Sequence, residues 1–333
     1  MNYLTDLGDN SVRLIGGSGH DLASLLYSSV TDDLAFDFSH GYDQVLADGT
    51  VLRGFERVSV SAGDGDDLFR GGSGDDSFYG GLGSDYARGG AGDDVLAARG
   101  ILYNFEESIT RSHDSDVLLG EAGNDTLTAD LSEQVYFGST LVSENTVFMS
   151  GGRDDDDLSS TLSAFAQGVS ESAPANATTR DNTLTMTGDK GKDSLAAHLS
   201  ASSHFGATTT VTDNTLLLNR AKGDDDLSVD LFTSVEEMGM TIMTGNQITL
   251  LGGKGDDRLH VSGNAMAGNC LILDGGRGHD TLAFEGDRGD YHVTETGKGD
   301  YEVTDLGDGS PGAVYSILDV ETLVFNGTVF DLA

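Results

Sequence analysis

The sequence predicts an all-β chain: a parallel β-roll/β-helix solenoid with stacked Gly/Asp turns, closed by a small C-terminal β cap. Three observations predict it. A nine-residue period runs unbroken over residues 62–97. Glycine makes up 47 of 333 residues, about twice its usual ~7% share, while only two prolines occur. Beyond the short period, Gly/Asp turns recur about every 32 residues, in step with alternating apolar positions.

Composition narrows the function. Hydrophobic residues are 37% of the chain, aromatics are few and tryptophan is absent, which fits a thin, layered core. The net charge of −38 argues against a nucleic-acid partner, because phosphate binding needs a basic footprint. Such a chain repels itself unless cations neutralise it. Its aspartates stand at fixed turn positions, so neutralisation by metal is favoured over disorder, and metal binding would be coupled to folding. The single cysteine, Cys270, allows no disulfide within the chain and reads as a small core residue on a strand. No run approaches eighteen apolar residues, so no membrane span is expected. Met1 is not followed by a charged and then an apolar segment, so a Sec-type leader is not expected either.

Residues 1–61 read as an N-terminal coil that caps the stack. A diverged unit, GGSGHDLAS at 16–24, keeps Gly19 and Asp21. Leu34, Phe36 and Phe38 alternate as on a strand, and Ala47-Asp48-Gly49-Thr50 is a turn signal.

Residues 62–97 divide into AGDGDDLFR, GGSGDDSFY, GGLGSDYAR and GGAGDDVLA. Position four is always glycine (Gly65, Gly74, Gly83, Gly92), for a tight turn. Position six is always aspartate (Asp67, Asp76, Asp85, Asp94), placed to close that turn over a cation. Position eight is apolar (Phe69, Phe78, Ala87, Leu96) and points inward from a short strand. Two units make one flattened coil, so turns eighteen residues apart stack at roughly 4.8 Å. The expected pairs are Asp67 with Asp85 and Asp76 with Asp94. Carboxylates and turn carbonyls from both turns form an all-oxygen cage for a hard cation that needs six to eight ligands. Asp66, Asp75 and Asp93 at position five join the candidate ligands.

Residues 98–285 read as longer β-helix coils. Asp116 and Gly123/Asp125 continue the pattern with Asp114 where a glycine is expected. Five looser turns follow at 151–158, 188–195, 220–227, 252–259 and 275–282. Of these, Gly255/Asp257 and Gly278/Asp280 are the best ligand candidates. Asn145, Asn182, Asn214, Asn246 and Asn269 each precede a strand, and a hydrogen-bonded asparagine ladder at one corner is expected. Lys190, Lys192, Lys222, Lys254, Arg258 and Arg277 lie in or beside these turns, where basic groups pairing with aspartates would leave some turns free of metal. Phe55-Glu56, Phe105-Glu106, Val235-Glu236 and Val320-Glu321 share an apolar–Glu pattern that reads as a strand start, with a helix over 231–243 as the other option.

Residues 286–333 read as the cap. Tyr291/Val293 and Tyr301/Val303 alternate on two strands around Gly297-Lys298-Gly299, and Asn326-Gly327 signals a type I′ hairpin.

The tandem units resemble the RTX, or haemolysin-type, calcium-binding repeat. The last segment is similar to the region after such repeats in type I-secreted proteins: a G-D-Y-x-V strand at 289–293, Asn326-Gly327-Thr328, and an acidic-then-apolar terminus, Asp331-Leu332-Ala333. The resemblance implies Ca²⁺ as cofactor, a secreted extracellular bacterial protein, a type I export machinery as partner, and a cell-surface or polysaccharide target. It would also account for the absent Sec leader.

Catalytic patterns do not stand out. There is no H-E-x-x-H, no G-x-S-x-G and no Cys/His zinc spacing. His20, His113 and His279 read as exposed turn residues, since calcium prefers oxygen. A non-enzymatic, calcium-folded module is therefore the expectation. A polysaccharide-modifying β-helix enzyme, lyase or C5-epimerase, is the alternative; it would show unlike charges grouped on the outward face of 145–285.

Overall fold

The computed structural model describes residues 2–3, 12–99, 102–104, 109–168, 175–204, 208–236, 239–264, 267–306 and 312–332. Phe105-Glu106 and Ala333 fall outside them, and the side chain of Glu236 is likewise not described. The described residues are all-β apart from one three-residue 3₁₀ turn, Arg288–Asp290. No helix among the described residues is long and apolar enough to cross a membrane. Two compact units interleave in sequence. One comprises Met1–Gly100, Ser115–Asp130 and Val147–Leu158; the other comprises Ile101–Asp114, Leu131–Thr146 and Ser159–Ala333.

In the first unit two parallel ladders run side by side, and their register is the repeat period. Leu25 pairs with Val60, Val60 with Phe78, Phe78 with Leu96 and Leu96 with Leu127. On the other ladder Phe36, Phe69, Ala87 and Leu118 follow one another. Phe69, Phe78, Ala87 and Leu96 are fully buried, as position eight requires. The rings of Phe69 and Phe78 stack across the roll with centroids 5.0 Å apart. Each such side chain contributes about 1.5–3 kcal/mol by leaving water. A parallel β-roll follows: alternation sends one residue in two inward, and an eighteen-residue coil returns the same position to the same row. The opening segment adds a small sheet of Arg13–Ile15, Val51–Arg53 and the antiparallel Gln44–Val45, turning at Gly49.

The second unit has three ladders. One carries Leu195, Leu227, Leu259, Leu282 and Leu323 in a row. A second carries Met186, Leu218, Leu250, Leu273 and Ile317. The third, Ile109–Ser112, Thr140–Ser143, Ala177–Arg180, Thr208–Thr212 and Met240–Thr244, occupies the Ser/Thr/Ala-rich return segments. Hydroxyls on this ladder are satisfied within the core: Thr140, Thr179 and Thr209 donate to the carbonyls of Phe165, Ser200 and Ser234. The asparagine ladder is present. Asn145, Asn182 and Asn214 each donate Nδ2 to the Oδ1 of the next, at 2.9–3.0 Å, and Asn246 donates to Asn269 at 2.8 Å. A buried ion pair, Arg111 with Glu133 at 3.4 Å, sits nearby.

Two expectations change. Cys270 is exposed, not a core residue. Leu271 and Leu273 take the inward positions of Cys270–Asp274, so alternation turns the thiol outward with Gln247. Val235-Glu236 ends the strand Asp226–Glu236 rather than starting one; the strand reading itself holds over the helix option, and Met240–Thr244 is the next strand. The C-terminal segment makes the expected hairpins. Tyr291–Glu295 and Tyr301–Asp305 pair antiparallel, and Thr328–Asp331 folds back on Thr322–Phe325 through Asn326 (φ 45°) and Gly327 (φ 77°).

Candidate metal centre

The position-six aspartates are buried inside the stack, each exposed by 2% or less across 67, 76, 85, 94, 116 and 125. The turn geometry forces this. Oδ1 of four of them accepts the main-chain N–H of the aspartate one coil earlier: Asp67 donates to Asp85 (3.1 Å), Asp76 to Asp94 (2.7 Å), Asp85 to Asp116 (3.0 Å) and Asp94 to Asp125 (2.8 Å), while Oδ1 of Asp67 and Asp76 accepts from the N–H of Leu34 and Val58. The expected pairs, Asp67 with Asp85 and Asp76 with Asp94, are therefore neighbours in space. In the second unit Asp225 donates to Asp257 and Asp257 to Asp280.

The second carboxylate oxygen is left over. Oδ2 of Asp67, Asp85, Asp94, Asp125, Asp225, Asp257 and Asp280 is buried without a hydrogen-bond partner. A buried, unpaired anionic oxygen costs several kcal/mol unless it is protonated or meets a cation. Burial makes these carboxyls keep their protons to higher pH than an exposed aspartate does. Burial pushes Asp85 up to about 8, with the Asp116 charge adding to it, and burial pushes Asp94 up to about 8. Asp257 rises to about 7, and Asp67, Asp125 and Asp280 to about 6, burial again leading in each.

Room for a cation comes from position one. A Cβ at Gly80, Gly89 or Gly120 would collide with Oδ2 of Asp85, Asp94 or Asp125 in the same turn, and one at Gly252 or Gly275 would lie 2.7 Å from Oδ2 of Asp257 or Asp280. Position four divides by cause. Gly83, Gly92, Gly123, Gly255 and Gly278 need positive φ, between 103° and 153°. Gly65 and Gly74 do not; there a Cβ would strike the backbone of Asp32 or Glu56. Asp154 takes φ 78° at a position where most of the other turns have glycine.

Asp66, Asp75 and Asp93 lie elsewhere. They are exposed and form an outer ladder of opposite sense: Asp66 accepts from the N–H of Ser84, Asp75 from Asp93 and Asp93 from Asn124, at 2.9–3.1 Å. Lys190, Lys192, Lys222, Lys254, Arg258 and Arg277 are all exposed too. The basic group inside the turns is Arg220, which the spacing pattern alone did not mark.

Residues outside the nine-residue pattern also join the turns of each unit. Tyr42 donates its hydroxyl to Asp76 Oδ2 (3.0 Å) and accepts from the N–H of Ser73 and Gly74. Glu56 accepts the Asp21 N–H, and Glu321 accepts the Asp280 N–H. The apolar–Glu pattern at these two sites thus places a longer carboxylate where a turn aspartate would otherwise act.

Among the described residues no group of three or more His, Cys, Asp or Glu side chains could hold a metal ion. A cation here would take carboxylates from two stacked turns together with main-chain carbonyls, a donor set calcium accepts and zinc does not favour. The partnerless Oδ2 atoms and the glycine-lined space beside them fit such an ion. Bound there, calcium supplies the positive charge that lets both carboxylates stay ionised.

The RTX calcium-binding nonapeptide repeat, in four copies, matches residues 61–96 and 114–132. None of the curated proteins matches the chain.

Proposed function

Taking as premise that this chain carries RTX repeats, which bind Ca²⁺ as structural ions, we propose that it is a non-enzymatic extracellular module whose folding calcium drives. It is exported unfolded by a type I machinery from a calcium-poor cytosol, and it folds outside. Residues 62–97 nucleate the β-roll, the longer coils of 98–285 stack on, and 1–61 and 286–333 act as caps. Its role is structural or adhesive, toward a cell surface or polysaccharide, or that of a secretion carrier. One observation carries this reading: in stacked turns the buried carboxylates of Asp67, Asp85, Asp94 and Asp125 each keep an oxygen without a partner. Such a fold is costly without a cation and inexpensive with one. Replacing Asp76 and Asp94 together by alanine should sharply raise the calcium concentration at the folding midpoint. An unmoved midpoint would show that those turns hold no structural ion.

A second reading, catalysis, is favoured by one feature of the outward face. Asp230 Oδ2 lies 2.8 Å from His198 Nδ1, and His198 Nε2 lies 2.9 Å from Ser200 Oγ, beside a depression of about 280 Å³ lined also by His260 and Ser262. This is the order of a nucleophile, a base and an orienting acid. Against it, Ser200 is only 5% exposed and its hydroxyl donates to Ser163, so the group fastens neighbouring coils. No lysine or arginine lines the depression to bind a uronic acid. Loss of a polyuronate-cleaving or epimerising activity in His198→Ala would favour catalysis; absence of any such activity in the wild type favours the module.

A further inference from the structure

In the turn at 220–227 arginine stands at position one, where the tandem units from 71 onward, and the turns at 188–195 and 252–259, have glycine. Arg220 is in register with those last two glycines, since Asn219 pairs with Thr187 before it and Leu251 after it. Its side chain therefore fills the space that position one otherwise leaves empty beside the aspartates. The guanidinium is fully buried. It lies 2.9 Å from Asp225 Oδ1 and 3.9 Å from Asp193 Oδ2, so it meets carboxylates of two consecutive turns. It also donates to the main-chain carbonyls of Asp193 and, at 3.0 Å, Asp226. Two carboxylates and two carbonyls form the kind of donor set that a calcium ion between stacked turns would take.

We propose that Arg220 is a resident cation standing in for calcium between the 188–193 and 220–225 turns. This pair binds no metal and holds its coils together without it. The chain is then divided by chemistry: stacked pairs with glycine at position one in both turns require calcium, and the arginine-filled pair does not. The consequence is a latent site. Removing the side chain uncovers two carboxylates and the space beside them, and makes this turn pair calcium-dependent. The inference rests on the calcium reading above.

Equilibrium dialysis counts calcium ions per chain in wild type and in Arg220→Gly. The expected result is one more ion in the variant, with a folding midpoint that now depends more strongly on calcium. An equal count in both, above zero, overturns the role of Arg220 while leaving the calcium reading intact. A count of zero in wild type overturns both. Hydrogen exchange of the wild type in chelator decides the matter if the variant does not fold. Amides of 193–195 and 226–229 should stay protected while those of 76–79 and 94–97 exchange. Equal exchange at the two places overturns the proposal.

Discussion

Replacing Asp94 by asparagine should stabilise the protein in chelator and weaken it in calcium. Asparagine keeps an oxygen to accept the Asp76 N–H, now at 2.7 Å, and removes the charge on an oxygen that has no partner. In the metal-free fold burial pushes Asp94 to about 8, against about 3.9 for an unfolded aspartate. At a pH of about 7.5 the fold must therefore take up a proton that the unfolded chain lacks, which costs up to about 5 kcal/mol at 1.36 kcal/mol per unit. The asparagine escapes that cost. Its new N–H₂ lacks an acceptor, which takes back about 1–3 kcal/mol. A net gain of about 2–4 kcal/mol is expected in chelator. With calcium the sign reverses, because one anionic ligand is gone; the calcium midpoint should rise by at least about tenfold, equivalent to 1.4 kcal/mol. Urea unfolding followed by circular dichroism, with chelator and with excess calcium, measures both. A variant less stable than wild type under both conditions would refute the claim that Asp94 is a frustrated charge awaiting a cation.

Three further outcomes follow from the same geometry. Asp85, Asp94 and Asp257 have folded-state values raised above the unfolded ones, so their contribution to stability is present in acid and lost as pH rises toward about 8. The calcium-free chain should thus gain β signal between pH values of about 8 and 5, and a loss over that range would contradict the assignment. Asn214→Ala in mid-ladder deletes the acceptor of the Asn182 side chain and donors to Asn246 Oδ1 and the Thr179 carbonyl, and should cost about 2–4 kcal/mol in thermal unfolding with calcium present. Glu133→Ala leaves Arg111 buried with less compensation and should cost about 3–5 kcal/mol; replacing both residues by apolar ones of similar size should recover most of the loss.

Much of this architecture is legible in the sequence because a solenoid turns period into register. Gly at four, Asp at six and an apolar residue at eight, repeated without insertion, leave one way to stack, and Phe69, Phe78, Ala87 and Leu96 occupy the rows that spacing dictates. The asparagine ladder was readable for the same reason. The third ladder is not legible as a sheet. Its inward face holds residues such as Thr179 and Thr209, whose hydroxyls bond to carbonyls, so no aliphatic alternation marks it. Residue type alone puts Cys270 in the core, whereas the alternation set by Leu271 and Leu273 turns it outward. The groups that join the turns are hidden because they break the pattern. Tyr42 reaches Asp76 from 34 residues away, and Arg220 stands where a missing glycine looked like simple divergence. Glu56 and Glu321 are visible as a pattern, but their role needs the turns whose N–H groups they accept.

The central claim is that calcium is part of the fold. The most direct test is a calcium titration of the metal-stripped chain followed by far-UV circular dichroism, with magnesium as the control. The account predicts a cooperative gain of β signal with calcium and none with magnesium, from a baseline that retains only part of the final signal. A chain with its full β signal in chelator, unchanged when calcium is added, would contradict it.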